Sequence, residues 1–195
     1  LPAALQLPAC GGSCARVVRG ALPPMQVHLT TPPDAGPPHE GHRHVPDLLA
    51  IVDRAAISDH LKAQARAVIH SLAEAEARIH HSPIEAVHLH EAGGDDALID
   101  IVGVLAALEN LQIEQVVVSP LPLARGWTQS QHGALPLPAP ATLALLEGAP
   151  VRYVDGVEKE LVTPTGAVLL RSIAREFGGF PAMTLGRVGM GAGQR

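Results

Sequence analysis

The sequence predicts an α/β domain, a sheet flanked by helices with a helical hairpin insertion. Three observations carry this reading. The apolar share, 47%, comes mostly from Ala, Val, Leu and Ile, while aromatics make up only 2%. Residues 46–80 repeat apolar positions at helical spacing. Residues 86–119 then alternate strand, helix and strand patterns. At 195 residues the chain is long enough for one sizeable core, and it reads as a single domain over 1–195.

Taken in order, residues 1–24 show no clear period and are rich in Gly, Ala and Pro. MQVHLT, residues 25–30, alternates and is β-prone. Residues 31–46 hold five prolines and three histidines, so 31–45 reads as a mobile His/Pro-rich loop. Pro46 can open a helix carrying Leu48, Leu49, Val52 and Ala55 on one stripe. Ser58 is a candidate N-cap for a second helix, whose stripe is Leu61, Ala65, Val68, Leu72 and Ile79. Pro83 breaks it. A strand over 86–90, a helix over 95–110 and an apolar strand over 115–119 follow. Residues 119–148 form a long irregular connection ending in a helix from about Pro140, stopped at Gly148. The end of the chain is expected to hold a strand at 151–154, a helix at 163–178 and a strand at 183–188.

Charge excludes several classes of partner. Fourteen basic against nineteen acidic residues give −5, which does not fit a nucleic-acid or membrane-surface binder. Cys10 and Cys14 are too few for a disulfide framework, so a reducing, cytoplasmic location is the simpler reading. The opening residues lack the basic region of a signal peptide, and the start at Leu1 points to a missing N-terminus.

The stretch richest in chemistry is VHLHEAGGDDALIDIVG, residues 87–103, with two histidines and four acidic residues between His88 and Asp100. His88 and His90 would share one face of a strand. Asp96 and Asp100 would stack one turn apart on a helix. Imidazoles and carboxylates together suit a borderline divalent cation such as nickel, manganese or zinc. The alternative is surface histidines on an edge strand and an aspartate favouring the helix dipole. Asp100 argues against that alternative, because a carboxylate within LIDIVG would be costly to bury without a partner.

Weaker signals surround this group. His39, His42 and His44 in the proline-rich loop are metal candidates or simply solvated. His132 sits in a QHG turn before LPLPAPAT, which is stiffened by proline. Thr163, Thr165 and Gly166 open a helix and form either an anion site or an ordinary N-cap. GMGAG, residues 189–193, has no helix after it and fails as a nucleotide fingerprint.

Four segments in this order, VHLHEAGGDDALIDIVG, SPLPLARGWTQSQHGALPLPAPATLALLEG, ELVTPTGAVLL and RVGMGAGQR, resemble the nickel-insertion proteins of nickel-pincer cofactor biosynthesis. The similarity covers roughly residues 40–195. It implies a nickel chelatase that inserts Ni(II) into pyridinium-3,5-bisthiocarboxylic acid mononucleotide, the cofactor then serving lactate racemase or another nickel-pincer enzyme. It also implies CTP dependence with Mn(II) or Mg(II), and a homo-oligomer is a further expectation. On this resemblance His88, His90, Glu91, Asp96 and Asp100 form the metal-handling site, with His42 and His44 feeding it. His132 and Glu91 become the catalytic groups, as ligand or base, and Thr163, Thr165 and Gly166 hold the mononucleotide phosphate. The chain is then expected to be a fragment lacking the native N-terminus and the C-terminal domain. The competing readings are a metallochaperone or nickel store without catalysis, and a metal-dependent hydrolase.

Overall fold

A computed structural model of the chain describes residues 1–7, 10–30, 44–87, 89, 93–130 and 133–193. The two helices expected over 46–80 are both present. α1 (Val45–Arg54) begins with proline in its first turn and buries Val45, Leu48, Ile51 and Val52. α2 (Asp59–His80) is capped by Ser58, whose hydroxyl accepts from the Leu61 amide at 3.1 Å. His81 ends it in the left-handed conformation, φ 49°. A 3₁₀ turn (Ile84–Ala86) leads on to α3 (Asp95–Asn110), whose bounds match those expected from the sequence. The Ser58 hydroxyl also donates to Glu109 in the last turn of α3, at 3.1 Å, so α2 and α3 lie antiparallel. An Arg66–Asp53 ion pair ties α2 to the last turn of α1.

The α/β class holds, but the β part is divided. Among the described residues the strands form four separate two-stranded ladders in place of one sheet. β1 (Gly11–Arg16) pairs antiparallel with β2 (Met25–Thr30). Local pattern does not announce β1, because GGSCAR has no apolar alternation and every residue in it is exposed. β3 (Val117–Val118) is shorter than the strand expected at 115–119 and pairs parallel with β8 (Glu176–Phe177). The described residues of 119–148 carry more regular structure than expected. They carry β4 (Leu121–Leu123), the antiparallel pair β5 (Gly126–Ser130) and β6 (Gly133–Leu137), and α4 (Pro140–Leu145). α4 ends at Leu145 with Leu146 as its C-cap, before the expected stop at Gly148, whose φ of +75° lies two residues beyond the cap. β7 (Val151–Tyr153) runs parallel to β4.

Two expectations fail at the C-terminal side. α5 (Pro164–Ile173) ends five residues before Gly178, since Glu176 and Phe177 are drawn into the ladder with β3. No strand forms at 183–188; Met183, Leu185 and Val188 are exposed there. The chain pairs instead two residues later. Met25 donates to Met190 and accepts from Ala192, at 2.9 and 2.8 Å, adding a bridge on the free side of β2.

The main core is helical. Leu48, Val52, Ile69, Leu72, Leu98 and Val102 form its centre, and Leu5, Val87, Leu89 and Val168 close it. A smaller cluster of Val118, Leu121, Leu146 and Ala167 joins β3, β4, α4 and α5. Burying side chains of this size contributes roughly 1.5–3 kcal/mol each. The core therefore fixes where the starts of α1 and α3 lie, and these carry His44, Asp96 and Asp100. Among the described residues no helix is long and apolar enough to cross a membrane.

Candidate functional site at the start of α3

Ala86, Val87 and Leu89, the described residues of the strand that the alternation predicts over 86–90, lie in no strand. Ala86 closes the 3₁₀ turn and Val87 is extended, φ −71° and ψ 134°, outside every ladder among the described residues. The alternation is still real as burial. Val87 and Leu89 are 2% and 0% exposed, locked into the main core. Val87 and Leu89 are held by their apolar side chains, and neither is in a strand. His88, His90 and Glu91 lie outside the described residues, as do His39, His42 and His132.

Gly94 is the N-cap of α3 and supplies no side-chain cap; Asp95 and Asp96 occupy the first turn. Carboxylates here face the positive end of the helix dipole. A Cβ on Gly94 would collide with Asp96 Oδ1, so the carboxylate of Asp96 folds back over a position only glycine leaves open. Asp100 follows one turn later, as the spacing requires, and both aspartates are exposed. Asp100 is thus not the buried carboxylate that LIDIVG suggests. The buried positions of α3 are Ala97, Leu98, Ile99, Ile101, Val102 and Leu105, and Asp100 falls on the solvent side between them. Its carboxyl is nevertheless held above the usual carboxylate range, first by partial desolvation and second by the charge of Asp96. Two like charges one turn apart repel, and a divalent cation between them would remove that repulsion.

Cys10 reaches this turn from the N-terminal segment, its Sγ donating to Asp95 Oδ2 at 3.6 Å. Cys14 is exposed on β1, and both thiols are free. His44 stands exposed at the N-cap of α1, where its backbone N–H donates to Asp47 Oδ2 at 3.2 Å. It is therefore placed at a helix start, as are the aspartates of α3. Among the described residues no three His, Cys, Asp or Glu side chains gather to hold a metal ion.

At α5 the hydroxyl of Thr163 accepts from the Gly166 amide at 3.1 Å, and its carbonyl accepts from Ala167 at 2.8 Å. Pro164 has no N–H to offer. Thr163 is thus an N-cap, the ordinary alternative, and the donors of this turn that it does not engage are those of Thr165. Sequence reasoning also missed a cleft of about 1080 Å³ between α2, the 3₁₀ turn, α4 and α5, where Arg78, His81, Ser82, Leu145 and Arg171 meet. Its residues come from separate elements, so no local motif announces it.

Comparison with known proteins decides the family. The model of the family described as "Nickel insertion protein" matches residues 3–195. The chain belongs to the nickel insertion protein family. Among its relatives is the pyridinium-3,5-bisthiocarboxylic acid mononucleotide nickel insertion protein of Desulfitobacterium hafniense. It is 46% identical over 152 residues, covering 78% of this chain and 38% of that protein. The protein of the same description from Geobacillus kaustophilus is 41% identical over 157 residues, covering 80% and 38%. The chain therefore spans about two fifths of the length of the curated relatives it matches. No solved structure matches it.

Proposed function

We propose that this chain is the metal-handling part of a cytoplasmic nickel chelatase that inserts Ni(II) into pyridinium-3,5-bisthiocarboxylic acid mononucleotide. The observation that carries the reading is the family match across residues 3–195. The names of the relatives supply the substrate. The geometry supports the metal side. Asp96 and Asp100 form an exposed acidic ladder on the first two turns of α3, beside the glycine N-cap. Exchangeable carboxylate and imidazole donors suit a metal that must be released, because borderline Ni(II) binds them less firmly than thiolates. On this reading His88, His90 and Glu91 complete the ligand set with Asp96 and Asp100. His132 or Glu91 accepts the proton that leaves the pyridinium carbon.

Thr165 is the remaining candidate for the substrate phosphate, because the Gly166 amide is taken by the Thr163 hydroxyl that caps the turn. CTP with Mn(II) or Mg(II) belongs to the reaction of the whole protein, and no side chain described above is assigned to either. The product serves lactate racemase or another nickel-pincer enzyme.

The test is nickel transfer to the bisthiocarboxylate mononucleotide by the whole protein, wild type against H90A/D96A. Nickel transfer is expected to collapse in the variant; full transfer sinks the site. Stoichiometric nickel binding by the wild type without product would favour a metallochaperone.

A further inference from the structure

The cleft beside α2 joins charge, an unsatisfied hydroxyl and an apolar floor. It holds about 1080 Å³, enough for a mononucleotide, since small-molecule sites span roughly 300–1,000 Å³. Three helices end in its wall. Arg78 and His81 stand at the end of α2, Leu145 closes α4, and Arg171 and Ser172 lie in the last turn of α5. Helix C-termini carry partial negative charge and favour a cationic group beside them. Ile84, Leu145 and Val168 supply apolar surface.

The two arginines are placed differently. Arg78 donates to Glu147 Oε2 at 3.1 Å and to the Ala144 carbonyl at 3.2 Å, so its charge is matched and it ties α2 to the end of α4. Arg171 has no carboxylate partner among the described residues; its guanidinium lies over the Phe177 ring, 5.9 Å from the centroid. The ring covers one side of the cation and leaves N–H donors for an anion. Glu74, the remaining charge in the lining, lies 3.3 Å from His70 Nδ1.

Ser82 supplies a second, independent observation. It lines the cleft, and its Oγ is buried with no hydrogen-bond partner among the described residues. A buried hydroxyl left unpaired is costly, and native structures rarely keep one without a use. The backbone of Ser82 is fixed, because its amide donates to the Ala77 carbonyl at 3.1 Å just past the left-handed His81 that ends α2. Rotation about a single side-chain bond re-aims the hydroxyl.

We propose that this cleft seats the pyridinium mononucleotide, with its phosphate on the Arg171 guanidinium and the Ser82 hydroxyl. The proposal rests on the substrate reading above and gives the phosphate a seat in place of Thr165. The ligand carries both kinds of group that the wall accommodates. Its cationic ring suits the helix ends and the apolar floor. Its phosphate matches the fork of a guanidinium that no carboxylate occupies.

The test uses this chain and two ligands, the bisthiocarboxylate mononucleotide and its nucleoside without the phosphate. Affinity is read by calorimetry and apo stability by thermal melting. The variants are R171Q, R171K, S82A, T165A and the control R187Q, an exposed arginine outside the lining. R171Q is expected to weaken mononucleotide binding about tenfold or more while changing nucleoside binding little, with R171K recovering part of the loss. S82A is expected to weaken the mononucleotide a few-fold and to melt no lower than wild type, because it removes an unpaired hydroxyl. If R171Q does not fold, S82A carries the same comparison of the two ligands. R187Q is expected to bind as wild type. Loss in T165A or R187Q as large as in R171Q overturns the proposal, as does equal loss of mononucleotide and nucleoside in R171Q, or no loss in R171Q and S82A. A wild-type chain that binds neither ligand overturns the substrate reading itself and the cleft with it.

Discussion

α3 and α5 begin in opposite ways. At α5 the N-cap threonine turns its hydroxyl inward to the Gly166 amide, so the helix start satisfies itself. At α3 the N-cap is glycine, no side chain caps it, and Asp95 and Asp96 crowd the first turn. A helix start that spends its hydroxyl on its own backbone has little left for a ligand. One built from glycine and carboxylates gains a negative rim that a cation or the helix dipole stabilises. The contrast separates a helix start capped by its own side chain from one that no side chain caps.

The sharpest way to break the contrast is charge removal at α3 set against hydroxyl removal at α5. D96A/D100A is expected to lower Ni(II) affinity about tenfold or more, measured by chelator competition, while T165A leaves it unchanged. Equal loss at both sites would erase the distinction. Next in size is the cap. T163A is expected to destabilise the chain by about 1 kcal/mol through the lost bond to Gly166, seen in denaturant melts, with nickel affinity unaltered. Gly94→Ala reverses that pattern. Its Cβ displaces the Asp96 carboxylate, so nickel affinity falls a few-fold while melting shifts little.

The smallest effect is titration of Asp100. Its folded-state carboxyl is raised above the ordinary 3.8, so the folded state favours the protonated form. The corresponding stability is fully present below 3.8 and is lost as pH rises through the folded value. D100N should therefore melt slightly higher than wild type at neutral pH and converge with it in acid. D96N should lower the Asp100 titration midpoint followed by NMR, because it removes the second cause of the shift.

What was legible in the sequence follows the range of the forces involved. α2 and α3 were readable because helical caps and apolar periodicity are local: Ser58 and Asp95 mark their own helix starts. β1 and β8 were not, because GGSCAR and Glu176–Phe177 become strands only through pairing partners outside their own segments. Residues 86–90 show how a pattern misleads. Alternate burial of Val87 and Leu89 is what a strand would show, yet these two residues are packed into the core and lie in no ladder among the described residues. Within the site, the one-turn stacking of Asp96 and Asp100 was readable from spacing. The exposure of Asp100 was not, since LIDIVG does not reveal which side of α3 meets solvent.

The bridge between Met25 and the Met190–Ala192 segment ties together residues separated by nearly the whole chain. Contacts of such sequence separation carry a large loop-closure cost and form late. The closure at Met25 should accordingly be the first part to open, with its amides exchanging with solvent far sooner than those of α2 and α3. The helices of the main core can thus stay assembled while these two segments part. That independence makes this seam the natural place to graft a reporter without touching the chemistry.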